Sequence, residues 1–373
     1  MKKLIYILIL TLTSCAQNQS IKLEHFKEKE YLPRHSSNFC IYSAPELESS
    51  VILVKNPWQG AKDVQMLTFI ERAGEKAPRN FPGQVIQAPV ERIVCLSSSY
   101  IAMLAMANSE DKIVGVSGLD YITNPVITNN KNMVDVGYDT NIDFEKLVAL
   151  RPSVVLLFAL NSENSAITKK LRELKIPYMY VGDYVESSPL GKTEWSIALG
   201  ELVDKRLEVE KKFLDIEYRY NNLKIKAKEN KTKAKVMLNS PYRDIWFMPS
   251  IQSYMVELIS DAGGDYIYSQ NTGTESIPIT LEQAYTLAAV SDIWLNTGWH
   301  NTLSQLLSEN AKFKDNPLVK KGRIYNNNAL QNAKGGSDFW EGGVVNPDKV
   351  LQDLINIFQG NTSEELTYYK QLK

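Results

Sequence analysis

"NIDFEKLVALRPSVVLL", residues 141–157, decides the fold. Asp143 stands where a helix N-cap belongs, Phe144, Leu147 and Leu150 recur at helical spacing, and Arg151-Pro152 ends the run. Val154–Leu157 is then an unbroken apolar stretch, the signature of a strand buried on both faces of a parallel sheet. Further along, Thr280-Leu281-Glu282-Gln283-Ala284 opens a second helix with capping-box spacing, and Ile293-Trp294-Leu295 follows as its strand. A helix–strand unit that occurs twice implies two similar α/β lobes facing each other.

The surrounding sequence completes both lobes. Strands are expected at Ile93–Ser97, Lys112–Val116 and Pro177–Val181, with helices at Tyr100–Ala107 and Ile167–Leu174. Residues 188–232 carry helical spacing without strands. Ser188-Pro189 opens them, and a break is expected near Asp204-Lys205. Strands resume at Lys235–Leu238 and Arg323–Tyr325, with helices at Ser253–Ala262, Asn301–Ser308 and Pro347–Phe358. The fold class is therefore α/β: two Rossmann-like lobes, residues 90–187 and 233–360, joined by long helices over 188–232. Residues 38–89 hold strand-like runs broken by turns and read as a small N-terminal β accessory region, preceded by a polar tether over 16–37.

The first fifteen residues are a different kind of signal. Lys2 and Lys3 precede a short apolar run, Leu4 to Leu12, and Leu12-Thr13-Ser14-Cys15 has the form of a lipobox. The run is too short to span a bilayer. Residues 1–15 thus read as a lipoprotein signal peptide, with Cys15 as the lipid anchor and no other hold on the membrane. The expected location is the cell envelope, on the periplasmic side or the cell surface. Of the other cysteines, Cys95 sits in an apolar run and reads either as a buried thiol or as a bridge to Cys40.

Composition excludes several activities. Forty-two basic residues against 43 acidic leave no field for nucleic acid. Only His25, His35 and His300 exist, and no Gly-x-Ser-x-Gly, P-loop or Gly-x-Gly-x-x-Gly accompanies them. A hydrolytic triad lacks its base, a bare transition-metal site lacks its ligands, and nucleotide chemistry lacks its loop. The chain reads as a binding protein, a monomer with no covalently bound cofactor, not as an enzyme.

Several stretches resemble one family. They are Val90-Glu91-Arg92-Ile93-Val94 leading to Ser97-Ser98-Ser99, Lys112-Ile113-Val114-Gly115-Val116, Asn141 through Pro152, and Asp261-Ala262-Gly263-Gly264-Asp265. With two lobes and a long helix, these resemble the substrate-binding proteins of ABC importers for metal chelates: ferric siderophores, haem or cobalamin. The resemblance implies permease docking through one acid on each lobe. These fall on Glu145 and on Asp265, where the family usually has Glu. The sequence departs from the family at Ser98-Ser99-Tyr100-Ile101, and the accessory region is additional.

Ligands bind at strand ends and between lobes. Loops after the strands therefore nominate Ser98, Tyr100, Tyr121 and Tyr138 on the first lobe, and Tyr242, Arg243, Trp246, Trp299, Phe339 and Trp340 on the second. Aromatic faces stack on a corrin, porphyrin or catechol, and Arg243 suits a ligand carboxylate. Glycines in "GGSDFWEGG", residues 335–343, are expected to let the backbone approach the ligand. The same aromatics would equally serve a lipoprotein that binds a glycan or peptide. With a chelate, the long helix predicts a small closure on binding rather than a wide hinge swing.

Overall fold

A computed structural model describes residues 21–373, apart from 139, 140, 161, 164, 230, 231, 362 and 363. Cys15 and its lipobox lie outside the described residues. The first layer is a sheet of five strands in sequential order, Glu28–Tyr31 (β1), Phe39–Ser43 (β2), Ser50–Lys55 (β3), Gln65–Glu71 (β4) and Gln84–Gln87 (β5). The tether expected over 16–37 is thus shorter than composition suggests. Polar Glu28-Lys29-Glu30 is an edge strand, where one face meets water and alternation is weak. The turn-rich stretch 77–89 likewise contains β5, paired parallel to β4.

The N-terminal lobe comprises Ile93–Cys95 (β6), Ser98–Met106 (α1), Ile113–Val116 (β7), Pro125–Thr128 (α2) and Val134–Asp135 (β8). It continues with a ribbon of Gly137–Tyr138 (β9) and Asn141–Ile142 (β10), then Phe144–Leu150 (α3), Val154–Leu157 (β11), Ser165–Glu173 (α4) and Tyr178–Tyr180 (β12). Its sheet is parallel, in the order β12-β11-β6-β7-β8. As its sequence indicates, α3 is capped by the Asp143 carboxylate, which accepts from the Lys146 amide at 3.0 Å, and it ends on Arg151 in the left-handed region.

Two helices connect the lobes, Pro189–Leu202 (α5) and Arg206–Ala227 (α6), broken at the left-handed Asp204. The C-terminal lobe follows: Lys235–Leu238 (β13), Trp246–Met248 (β14), Tyr254–Asp261 (α7), Asp265–Tyr266 (β15), Ile277–Ile279 (β16) and Leu281–Ala289 (α8). Next come Ile293–Leu295 (β17), Leu303–Glu309 (α9), Pro317–Lys321 (α10), Ile324–Asn326 (β18), Gly342–Val345 (α11), Pro347–Gln359 (α12) and Lys370–Gln371 (β19). Its sheet runs β15-β13-β17-β18-β19 and is parallel except for β19, which extends the lobe beyond the expected end at 360. Both halves of the α8 capping box form, between Thr280 and Gln283. Asn346 precedes α12 without capping it, and its side-chain amide donates to the Gly342 carbonyl.

Helix α5 has no exposed residue. Its charges must therefore find partners inside, and the accessory layer supplies them. Glu194 accepts the amides of Arg34 (2.7 Å), His35 (2.9 Å) and Ser36 (2.7 Å) and the Tyr31 hydroxyl (2.6 Å). Burial, then the Glu194 charge, raises the Tyr31 phenol far above its usual range, so it stays a donor. Glu201 meets the Ser50 hydroxyl, Arg72 and Arg206. Cys40 and Cys95 are free thiols, both buried, and burial pushes the Cys95 thiol up.

The hairpin between β3 and β4 also reaches the other end of the N-terminal lobe. The Gln59 amide donates to the Leu160 carbonyl at 2.8 Å, and Trp58 packs edge-on against Tyr180, with ring centres 5.8 Å apart. Among the described residues no helix is long and apolar enough to cross a membrane.

Candidate functional site

Loops leaving the carboxyl ends of the parallel strands carry most of the nominated residues. On the N-terminal lobe, Tyr121 and Tyr138 are half-exposed. The Tyr138 ring lies over left-handed Gly118, where a Cβ would come within 2.9 Å of it. Ser98 opens α1, and its hydroxyl reaches the Trp340 carbonyl of the opposite lobe at 3.5 Å. On the C-terminal lobe, Tyr242 and Ile245 pair across a tight turn that holds Arg243 in the left-handed region. The Arg243 guanidinium lies 5.4 Å from the Tyr242 ring centre. Trp299 is exposed and stacked on His300, with centroids 4.5 Å apart. The His300 ring is itself fixed by the Thr297 carbonyl and Glu309, which makes it a mount for Trp299 rather than a ligand of its own.

Three nominated rings are not available. Tyr100 is fully buried in α1, its hydroxyl donating toward the Leu157 and Val181 carbonyls. Trp246 is fully buried as well. In β14 it alternates with exposed Phe247, so it points into a cluster with Trp294 and Phe313, and its indole donates to the Leu238 carbonyl at 2.8 Å. Phe339 is buried edge-on to Trp340, Tyr368 and Tyr369 and serves as the platform under Trp340.

The glycine-rich loop has a second partner that the sequence conceals. Glu341 is buried and accepts the Thr123 amide (2.8 Å), the Thr123 hydroxyl (2.9 Å) and the Asn124 amide (2.9 Å), all from the other lobe. Asp338 competes for the same hydroxyl at 2.8 Å, so its single proton serves one carboxylate at a time. The Asn332 side-chain amide donates to the Asp120 and Ile122 carbonyls. A Cβ on Gly336 would sit 2.0 Å from the Tyr121 carbonyl oxygen. That glycine brings the backbone against the facing lobe, where approach to a ligand was expected. Burial first, with the neighbouring Asp338 charge, raises Glu341 above the usual carboxylate value. A cavity of about 550 Å³ beside this clasp is lined by Ala102, Ala105, Pro125, Leu330, Gln331 and Asn332 among others.

Between the lobes, α5 contributes Lys192. Its ammonium donates to the Asp183 carbonyl at 2.7 Å and lies 4.9 Å from the Tyr254 ring centre of the C-terminal lobe. Tyr184, half-exposed on the first lobe, is raised above its usual value by burial and then by Glu275 of the second. No residue pair this far apart in sequence leaves a local pattern. The Glu341 clasp and the Lys192–Tyr254 contact were therefore missed, and a Glu between a Trp and two glycines reads as a solvated charge.

Glu145, in the first turn of α3, and Asp265, at the start of β15, are both exposed, one on each lobe. Among the described residues no three His, Cys, Asp or Glu side chains converge to hold a bare ion. Comparison with known proteins agrees with this architecture. The chain is 28% identical over 303 residues to an uncharacterized lipoprotein, MJ0878, of Methanocaldococcus jannaschii, covering 76% of this chain and 68% of that one. In fold it is similar to a periplasmic heme-binding protein from Pseudomonas aeruginosa (TM-score 0.58, 16% identity, 76% of this chain and 98% of that one). It is also similar to the periplasmic vitamin B12 binding protein of Vibrio cholerae (TM-score 0.54, 16% identity, 74% and 99%). Residues 93–329 match the family model of the periplasmic binding proteins, and the chain belongs to that family.

Proposed function

We propose that this protein captures a metal chelate (haem, a cobalamin or a ferric siderophore) between its lobes and delivers it to the permease of an ABC importer. One observation carries the reading. Exposed rings stand on strand-end loops of both lobes, Tyr121, Tyr138 and Tyr184 against Tyr242, Trp299 and Trp340. Ser98 and Arg243 supply the polar contacts, and Arg243 has no carboxylate within ion-pair distance among the described residues. Broad apolar faces with few charges suit a large, flat, weakly charged ligand better than a small hydrated ion. Structural relatives named for heme and vitamin B12 support the same ligand class.

The test is a titration of the purified protein with haem, cyanocobalamin and ferrioxamine, followed by visible absorbance. One of them should bind and shift its band. Trp340→Ala should weaken that binding by about 1–2 kcal/mol, roughly five- to thirtyfold, with unchanged thermal unfolding. A colourless protein that binds an oligosaccharide or peptide would replace this reading with another.

Cys15 tethers the protein to the envelope in this account, and Glu145 and Asp265 orient it on the permease. Exposed acids on two lobes contribute steering and register more than affinity. Glu145→Ala combined with Asp265→Ala should reduce uptake at least tenfold in cells while leaving chelate affinity unchanged in the purified protein. Lost affinity would reassign the two acids.

A further inference from the structure

The outer face of α6 is built for a partner. At about 100° per residue, Leu207, Leu214, Tyr218 and Ile225 fall within roughly 20° of one line along the helix. They are 70, 41, 71 and 62% exposed. Val209, Phe213, Ile216 and Tyr220, which hold α6 to the body, lie on the opposite side. A line directly opposite the buried face ought to be the most polar on a surface helix. Here it carries four large apolar side chains over about 27 Å.

The intervening residues have coiled-coil spacing. Leu207, Lys211, Leu214, Tyr218, Asn221 and Ile225 alternate three and four apart, as positions on a two-helix seam do. The stripe is also symmetric: Leu207 and Ile225, Leu214 and Tyr218, and Lys211 and Asn221 are each equidistant from residue 216. A second copy laid antiparallel therefore sets Leu207 against Ile225, Leu214 against Tyr218 and Lys211 against Asn221. On one flank Glu210 then faces Lys224, adding to the contacts these make with Arg206 and Asp261 in their own copy. On the other flank the antiparallel copy sets Asp215 against Asp215, whereas a parallel copy would press Lys211 on Lys211 within the seam and set Glu210 against Asp215 on both flanks. We infer that α6 is a self-association surface on which a second copy of this chain packs antiparallel about a two-fold axis, independently of what the cleft holds.

A seam this short buries less than the roughly 1,200 Å² of a standard stable interface. The dimer is transient. Cross-linking tests both pairing and direction in the full chain. All the altered sites are exposed, Cys40 and Cys95 are buried, and the remaining cysteine is removed from every variant by Cys15→Ser. The double variant Leu207→Cys/Ile225→Cys should form a disulfide-linked dimer on mild oxidation, and each single variant at least tenfold less. Adding Tyr218→Glu to the double variant should cut the yield at least tenfold with unchanged circular dichroism. Linkage by Leu207→Cys alone would overturn the antiparallel arrangement, and no linkage in the double variant would overturn self-association. If the unlinked protein instead sediments with phosphatidylglycerol vesicles in a Tyr218-dependent way, a membrane surface is the partner and the inference fails.

Discussion

Replacing Glu194 with Ala should destabilise the protein by about 3–5 kcal/mol, because each donor left without an acceptor costs about 1–3 kcal/mol. Three backbone amides and a phenol converge on this carboxylate. Alanine leaves all four donors without their acceptor at a fully buried position of α5. Glu194→Gln keeps one acceptor oxygen and should fall between the two. Urea unfolding measures the loss. In the alanine variant, trypsin should also cut early at Lys27, Lys29 and Arg34, because the segment they lie in loses its anchor. An alanine variant within 1 kcal/mol of the parent would mean that residues 31–36 are held by their apolar contacts alone.

The second large effect concerns the clasp. Glu341→Ala strands the Thr123 and Asn124 amides at the lobe interface, for about 2–4 kcal/mol. Amide exchange at those two positions should speed up before that of the sheets does. The pH dependence follows from the direction of the shift. Burial raises Glu341 above the unfolded value near 4.5, so in that interval the folded state holds more proton than the unfolded one. Stability is then greatest below the unfolded value and is lost as pH rises through the folded one. Burial likewise raises Asp183, Glu186, Glu257 and Asp353. Glu75, Asp143 and Asp292 are lowered, and their contribution disappears only as pH falls below the ordinary carboxylate range. The unfolding temperature should accordingly fall as pH rises above the ordinary carboxylate range, and Glu341→Gln should flatten part of that slope. A rising profile would contradict the assignment.

Capping and period were legible because they are local. The Asp143 and Thr280 caps, the Pro-initiated α5 and the break at Asp204 each depend on residues within one helical turn. Trp246 and Trp340 sit in equally turn-rich surroundings, yet one is core and the other half-exposed. The alternation of Trp246 with Phe247 and Met248 was the available clue, in a strand too short to advertise it. Nothing near Glu194 or Glu341 announces their partners, which lie 160 and 218 positions away. A two-residue strand such as β19 has no periodicity to read at all.

The distance between Glu194 and its partners also has a kinetic meaning. Residues 34–36 meet no acceptor for those amides until a stretch of some 160 residues has been gathered into one place. Closing so long a loop costs chain entropy before any contact returns it, and folds dominated by such contacts form slowly. The start of the chain therefore waits for its middle. Residues 34–36 can dock only on an α5 that is already in place, which puts the cost of that closure on the N-terminal segment.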